Sequence, residues 1–106
     1  MNVKLDIELQ KKLNNKKYDK REVILLQNTI KTLKKSISGQ ILRVVEKEGK
    51  VFKIVEKRAT RSYRVYFILI LQENNLIILD IIKKKFQNDY INKIERNLEI
   101  IFRRNN

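Results

Sequence analysis

The sequence predicts a small α+β fold: one antiparallel sheet of about four strands, packed by a helix before it and a helix after it. Three observations carry that prediction. First, the stretch Arg61–Tyr90, RSYRVYFILILQENNLIILDIIKKKFQNDY, holds two long apolar runs, Tyr63–Leu71 and Leu76–Ile82, around the polar connector Gln72–Asn75. Val, Ile, Tyr and Phe dominate both runs, as they do in strands. Asn74-Asn75 suits a tight turn because Asn tolerates the left-handed backbone. Neither run alternates cleanly between apolar and polar residues, which predicts strands buried on both faces at the centre of the sheet. Second, apolar stripes at helical spacing lie on either side of this region. Third, 106 residues are enough for one core but not two, so a single domain over 1–106 is expected.

Taken in order, Asn2–Ile7 alternates Val3, Leu5 and Ile7 with Lys4 and Asp6, a short half-buried strand. Leu9–Leu13 either continues it or forms one helical turn, and Asn14-Asn15 breaks the pattern. A helix is predicted from Asp19, an N-cap with Glu22 three residues later. Its stripe is Val23, Leu26, Ile30, Leu33 and Ile37, and Lys20, Arg21, Lys31, Lys34 and Lys35 lie off it on a solvated face. Ser38-Gly39 ends it, with Gly39 as the left-handed cap. Ile41–Val45 is a short apolar approach to the sheet, and Glu46–Lys50 is a turn around Gly49. Val51–Lys57 is the next strand, with Phe52, Ile54 and Glu56 on one face and Val51, Lys53, Val55 and Lys57 on the other. The basic loop Arg58–Ser62 leads into the central hairpin. A last helix, capped by Asn88 or Asp89, carries the stripe Ile91, Ile94, Leu98 and Ile101, and Asn105-Asn106 should fray. The helices are expected to share one sheet face, leaving the other face, or its end, for a ligand.

Composition narrows the function. Hydrophobic residues at 42% beside 35% charged exclude the disordered class. No apolar run approaches the roughly 20 residues of a membrane helix, and Met1–Asp6 lacks the apolar core of a signal peptide. The chain therefore reads as cytoplasmic, without a membrane. It has no cysteine and no histidine, which excludes disulfides, a thiolate or imidazole zinc site, and a Ser–His or Cys–His nucleophile. No metal or cofactor is expected. The chain has two glycines, Gly39 and Gly49, too few for a phosphate-cradling loop. Asp80, alone in LIILDIIK, reads as a carboxylate at a sheet rim or paired with a Lys or Arg. A net charge of +13 points to a polyanionic partner, nucleic acid or an acidic protein.

The basic residues concentrate where the strands begin and end: Lys53, Lys57, Arg58, Arg61, Arg64, Lys83, Lys84 and Lys85, with Tyr63, Tyr66 and Tyr90 among them. If the hairpin closes around Glu73–Asn75, its register brings Arg64 beside Lys83, Lys84 or Lys85. The short connector before Tyr63 sets Lys57 close to Arg64, with Lys53 farther along the same face. Cations can neutralise the charge that builds on a phosphate in a transition state. RNA carries its own nucleophile, the 2′-hydroxyl, so such a cluster could cleave it with neither metal nor histidine.

The run VFKIVEKRATRSYRVYFILILQENNLIILDIIKKKFQNDYINKIERNLE resembles the RelE/ParE toxin superfamily, especially its phage-type HigB branch. The shared pattern is an apolar-basic strand, a loop into Tyr-Arg-Val, a paired strand, the basic segment IIKKKFQ and a helix. The resemblance covers about half the chain. It implies a RelE-like sandwich and the toxin of a type II toxin–antitoxin system, a ribosome-dependent mRNA endonuclease restrained by an acidic antitoxin. By this resemblance Arg64 contacts the scissile phosphate, and Lys57 serves as general base or phosphate ligand; a gapped alignment selects Lys53 instead. Lys84 stands where RelE-type members carry an arginine, and Tyr90 falls on their late tyrosine. Lys53, Arg58, Arg61, Lys83 and Lys85 would bind RNA. ParE-type members instead poison DNA gyrase, and a basic RNA-binding module without activity is a third expectation.

Overall fold

The apolar runs of the central hairpin become the middle of the sheet, and the other elements assemble around them. The computed structural model describes residues 1–106. The order is β1 (Asn2–Leu5), α1 (Ile7–Asn14), α2 (Lys20–Lys35), β2 (Gln40–Lys47), β3 (Lys50–Arg58), β4 (Tyr63–Ile70), β5 (Asn75–Lys83) and α3 (Gln87–Arg104). The sheet has five strands in the order β1-β5-β4-β3-β2. Strands β2 to β5 are antiparallel neighbours, whereas β1 runs parallel to β5. The α+β class is as expected. The sheet, however, is five-stranded and mixed rather than four-stranded and antiparallel. Ile41–Val45 lies within a full edge strand, and the α1–α2 pair carries the chain from β1 across to β2.

Every residue of β4 is buried, which accounts for its unbroken apolar sequence. Alternation along β4 divides the core into two. Tyr63, Val65, Phe67 and Leu69 face Leu9, Leu26 and Leu33 of α1 and α2. Tyr66, Ile68 and Ile70 face Ile94, Leu98 and Ile101 of α3. The helices thus cover both faces of the sheet, not one. The reason is in the strands themselves: a face left to solvent would expose Phe52, Ile54, Ile68 and Ile77.

Helix α2 starts where its sequence says. The Asp19 carboxylate accepts from Glu22 N at 2.8 Å, and Glu22 accepts from Asp19 N at 3.0 Å. It ends at Lys35, earlier than expected, with Ser36 already extended (φ −155°). Gly39 is therefore not its cap. A Cβ at Gly39 would lie 2.7 Å from Val55 Cγ1 and 2.9 Å from Glu56 O, so glycine is needed there for close passage over β3. The β2–β3 turn places Glu48 and Gly49 at φ 54° and 75°, as a two-residue hairpin loop requires. After β4 a 3-10 turn, Leu71–Glu73, leads to Asn74 in the left-handed region, so Ile70 pairs with Asn75.

Asn105 does not fray. Its Nδ2 donates to Asp6 Oδ1 at 2.6 Å, and its Oδ1 accepts from Ile7 N at 3.0 Å, capping the start of α1. No helix is long and apolar enough to cross a membrane.

Candidate nucleic-acid interface

Tyr63 opens β4 directly opposite Lys83, the last residue of β5. The 3-10 turn Lys84–Phe86 then folds back, and Lys84 N donates to Ser62 O at 2.8 Å. That bond joins the turn to the loop between β3 and β4. The loop is itself fixed: Ala59 N donates to Tyr63 O at 3.1 Å, and Arg64 Nη1 donates to the carbonyls of Thr60 (2.8 Å) and Tyr63 (3.0 Å). Helix α2 approaches from the side, with the Arg21 guanidinium 5.9 Å from the centre of the Tyr63 ring.

These elements enclose an open cleft of about 810 Å³. Five cations line it, Arg21, Arg61, Lys83, Lys84 and Lys85, and no carboxylate does. None of the five belongs to an ion pair. Helix α3 begins at the cleft without a side-chain cap, so its first-turn N–H groups add positive potential. Gln87 Oε1, also in the lining, is buried without a hydrogen-bond partner. The cleft offers many donors and charge, together with one acceptor that lacks a donor.

Arg61, Lys83, Lys84 and Lys85, expected at the site, come together here. Arg58 is exposed at the end of β3, opposite Arg64. Lys53 and Lys57 do not join them. Lys57 pairs with Val65 and Lys53 with Leu69, so both side chains stand on the α2 side of the sheet. Lys57 Nζ donates to Ser38 Oγ at 2.5 Å. Arg64 stands on the opposite side, because its Nε lies 3.8 Å from Glu56, which accepts from the Tyr66 hydroxyl at 2.7 Å. The expected Lys57–Arg64 pair on one face is thus separated by the sheet: adjacent strand residues point to opposite faces, and the register pairs Arg64 with Arg58 instead. The hairpin register also differs, placing Arg64 opposite Ile82 rather than a lysine. Arg64 is only 9% exposed, and its guanidinium holds the loop that carries Arg61.

Tyr90 packs on Tyr66 with ring centres 5.0 Å apart and does not line the basic cleft. Burial and the nearby Asp80 carboxylate push its phenol well above the ordinary tyrosine value. It faces a second cavity of about 280 Å³ between α1 and α3, beside Asp6, Asp80 and Arg104. Asp80 is paired, as expected. It accepts from Lys12 Nζ at 3.0 Å, from the Tyr18 hydroxyl and from Ile81 N at 2.8 Å. The Tyr18 phenol is raised in turn, by burial first and then by this bond. The Asp6–Arg104 pair (2.5 Å) carried no sequence signal. Arg21, Ser62, Gln87 and Asn88 are likewise cleft residues that local sequence does not mark; only tertiary packing brings α2 and α3 to the end of the hairpin. No group of three or more acidic side chains converges as metal ligands.

No family model matches the chain, and neither a curated protein nor a solved structure matches it.

Proposed function

We propose that this protein binds single-stranded RNA in the basic cleft and acts in the cytoplasm as a type II toxin of the RelE/HigB kind, an mRNA endonuclease working on the ribosome. One observation carries the reading: five unpaired cations and an aromatic side chain line one cleft that holds no acid. Such a surface attracts a phosphate backbone and excludes acidic clutter that would repel it. An unmet acceptor at Gln87 suits a ligand with donors, such as a ribose or a base edge, better than bare anions.

In this reading Arg61, Lys83 and Lys85 hold the backbone and neutralise charge at the scissile phosphate. Cleavage transfers the 2′-hydroxyl proton to a base, forms the bond from the 2′-oxygen to phosphorus, and breaks the bond to the 5′-oxygen, which takes up a proton. The products are a 2′,3′-cyclic phosphate and a 5′-hydroxyl. Lys84 is the candidate base, since Lys53 and Lys57 lie away from the cleft. Arg64 positions Arg61 through the loop. An acidic antitoxin would cover the cleft, in a complex that weakens with salt.

A non-catalytic RNA-binding module is the second reading, favoured by the separation of Lys57 and Tyr90 from the cleft cations. The test is inducible expression in bacteria with mapping of mRNA 5′ ends, wild type against Lys84→Ala. Growth arrest with codon-phased cuts, both lost in the variant, is the expected result. Arrest without cuts would shift the target towards gyrase, checked by plasmid supercoiling. Soluble protein with neither arrest nor cuts, yet salt-dependent RNA binding, would establish the binding module.

A further inference from the structure

The 3-10 turn Lys84–Phe86 is a partition as well as a connection. Lys84 and Lys85 line the basic cleft, whereas Phe86 lines a neighbouring depression of about 440 Å³, and Lys83 borders both. Ile81, Ile82, Phe86 and Tyr90 form the apolar wall of that depression, and Asp89 and Lys93 stand on its polar side. A single exposed aromatic ring needs no explanation in itself. Phe86, however, is 51% exposed where it faces this hollow, and Lys85 Nζ lies 5.1 Å from its ring centre. One ammonium group therefore serves the cleft and the ring together.

Asp89 and Lys93 lie one turn apart on α3, a spacing at which acid and base ordinarily pair. Neither joins an ion pair. Asp89 is in the first turn of α3, where the helix dipole favours its charged form. The other carboxylate at the depression, Glu22, is already engaged in the α2 capping box. A charged acceptor and a charged donor thus stand beside an exposed aromatic ring, next to the cleft.

We infer that the depression receives a guanine base of the RNA strand held in the cleft, an inference that rests on the RNA reading above. The base stacks on Phe86. Its N1–H and N2–H groups donate to the Asp89 carboxylate, and Lys93 Nζ donates to O6. A carboxylate repels phosphate, so the backbone stays among the cleft cations and only the base enters. Stacking accepts any base, so the edge decides identity. Guanine presents two adjacent donors with an acceptor beside them, which matches a carboxylate next to an ammonium. Adenine and cytosine each offer one amino group, and uracil a single N–H between two acceptors. An apolar protein side chain in the depression would cover Asp89 and Lys93 without partners, at a cost in desolvation.

The test measures fluorescence anisotropy of the full chain with labelled uridine hexamers, one all-uridine and others carrying a single guanosine, adenosine or inosine at the third position. The guanosine probe should bind about tenfold tighter than the all-uridine one, and inosine, which lacks the N2 amino group, should lose part of that gain. Asp89→Asn should erase the preference for guanosine over adenosine while all-uridine binding persists. Phe86→Ala should weaken the guanosine probe by about tenfold without changing the salt slope, because no phosphate contact is lost. Phe86→Tyr should retain tight binding. Equal affinities for guanosine and adenosine in the wild type would overturn the inference and leave salt-dependent RNA binding in place. So would a guanosine preference that survives Asp89→Asn and Phe86→Ala. Failure of every probe to bind at low salt would remove the RNA reading, and this inference with it. Anilinonaphthalene sulfonate fluorescence that requires Phe86 and resists displacement by the guanosine probe would assign the depression to an apolar protein side chain instead.

Discussion

Asp6 does at residue scale what no local pattern announces. It is 2% exposed and accepts from Arg104 Nε at 2.8 Å, Arg104 Nη2 at 2.5 Å and Asn105 Nδ2 at 2.6 Å. The carboxylate in turn raises the Arg104 pKa above its ordinary value. Two residues nearly one hundred positions apart therefore fix α1, β1 and the end of α3 together. Asp6→Ala would leave Arg104 partly buried without its counter-charge and should cost about 2 kcal/mol, seen as a lower urea midpoint at pH 7. Glu73 gives a pH-dependent counterpart. Its hydrogen bond from Lys50 Nζ, at 2.6 Å, holds the carboxyl below its ordinary value. A depressed folded pKa stabilises the fold above the unfolded value and loses that contribution as pH falls through the folded one. Wild type should therefore exceed Glu73→Gln in stability at neutral pH. The difference should shrink below pH about 4.3 and vanish in stronger acid, as followed by urea titrations across that range.

Among the elements, legibility follows how much each depends on its own residues. β4 and β5 were legible because their apolar runs admit no other placement than a sheet centre. The start of α2 was legible because Asp19 and Glu22 complete a local capping box. The end of α2 was not, since Gly39 answers to Val55 and Glu56 across a gap in sequence rather than to the helix before it. Gly39→Ala should push Val55 aside or displace the strand, lowering stability by about 1–3 kcal/mol, measurable as a lower melting temperature with the same fold by circular dichroism. α1 is only eight residues long, too short to persist alone. Its N-terminus is capped by Asn105 from the other end of the chain, so nothing within Leu9–Leu13 could decide between strand and helix.

For the whole molecule, charge and topology divide the work. The net charge of +13 is a property of composition, but its concentration in one acid-free cleft comes from the hairpin register and the approach of α2. If the cleft engages RNA phosphates, the logarithm of affinity should fall linearly with the logarithm of salt concentration. Removing Lys84 or Arg61 should then lessen the slope by about 0.7 each, as measured by fluorescence anisotropy with a labelled oligonucleotide. Lys57→Ala should leave the slope unchanged, since that side chain is bound to Ser38 on the α2 side of the sheet.

By itself the sequence determined the α+β class, the central hairpin, and the apolar stripes of α2 and α3. These follow from periodicity, turn chemistry and composition, which act over a few residues. Tertiary structure decided the parallel fifth strand, the placement of helices on both sheet faces, the arrival of Arg21 and Gln87 at the cleft, and the separation of Lys57 from Arg64. Each of those depends on strand register and on which face each apolar stripe finds to bury. In a sheet a shift of one residue sends a side chain to the opposite side, and no local pattern specifies it.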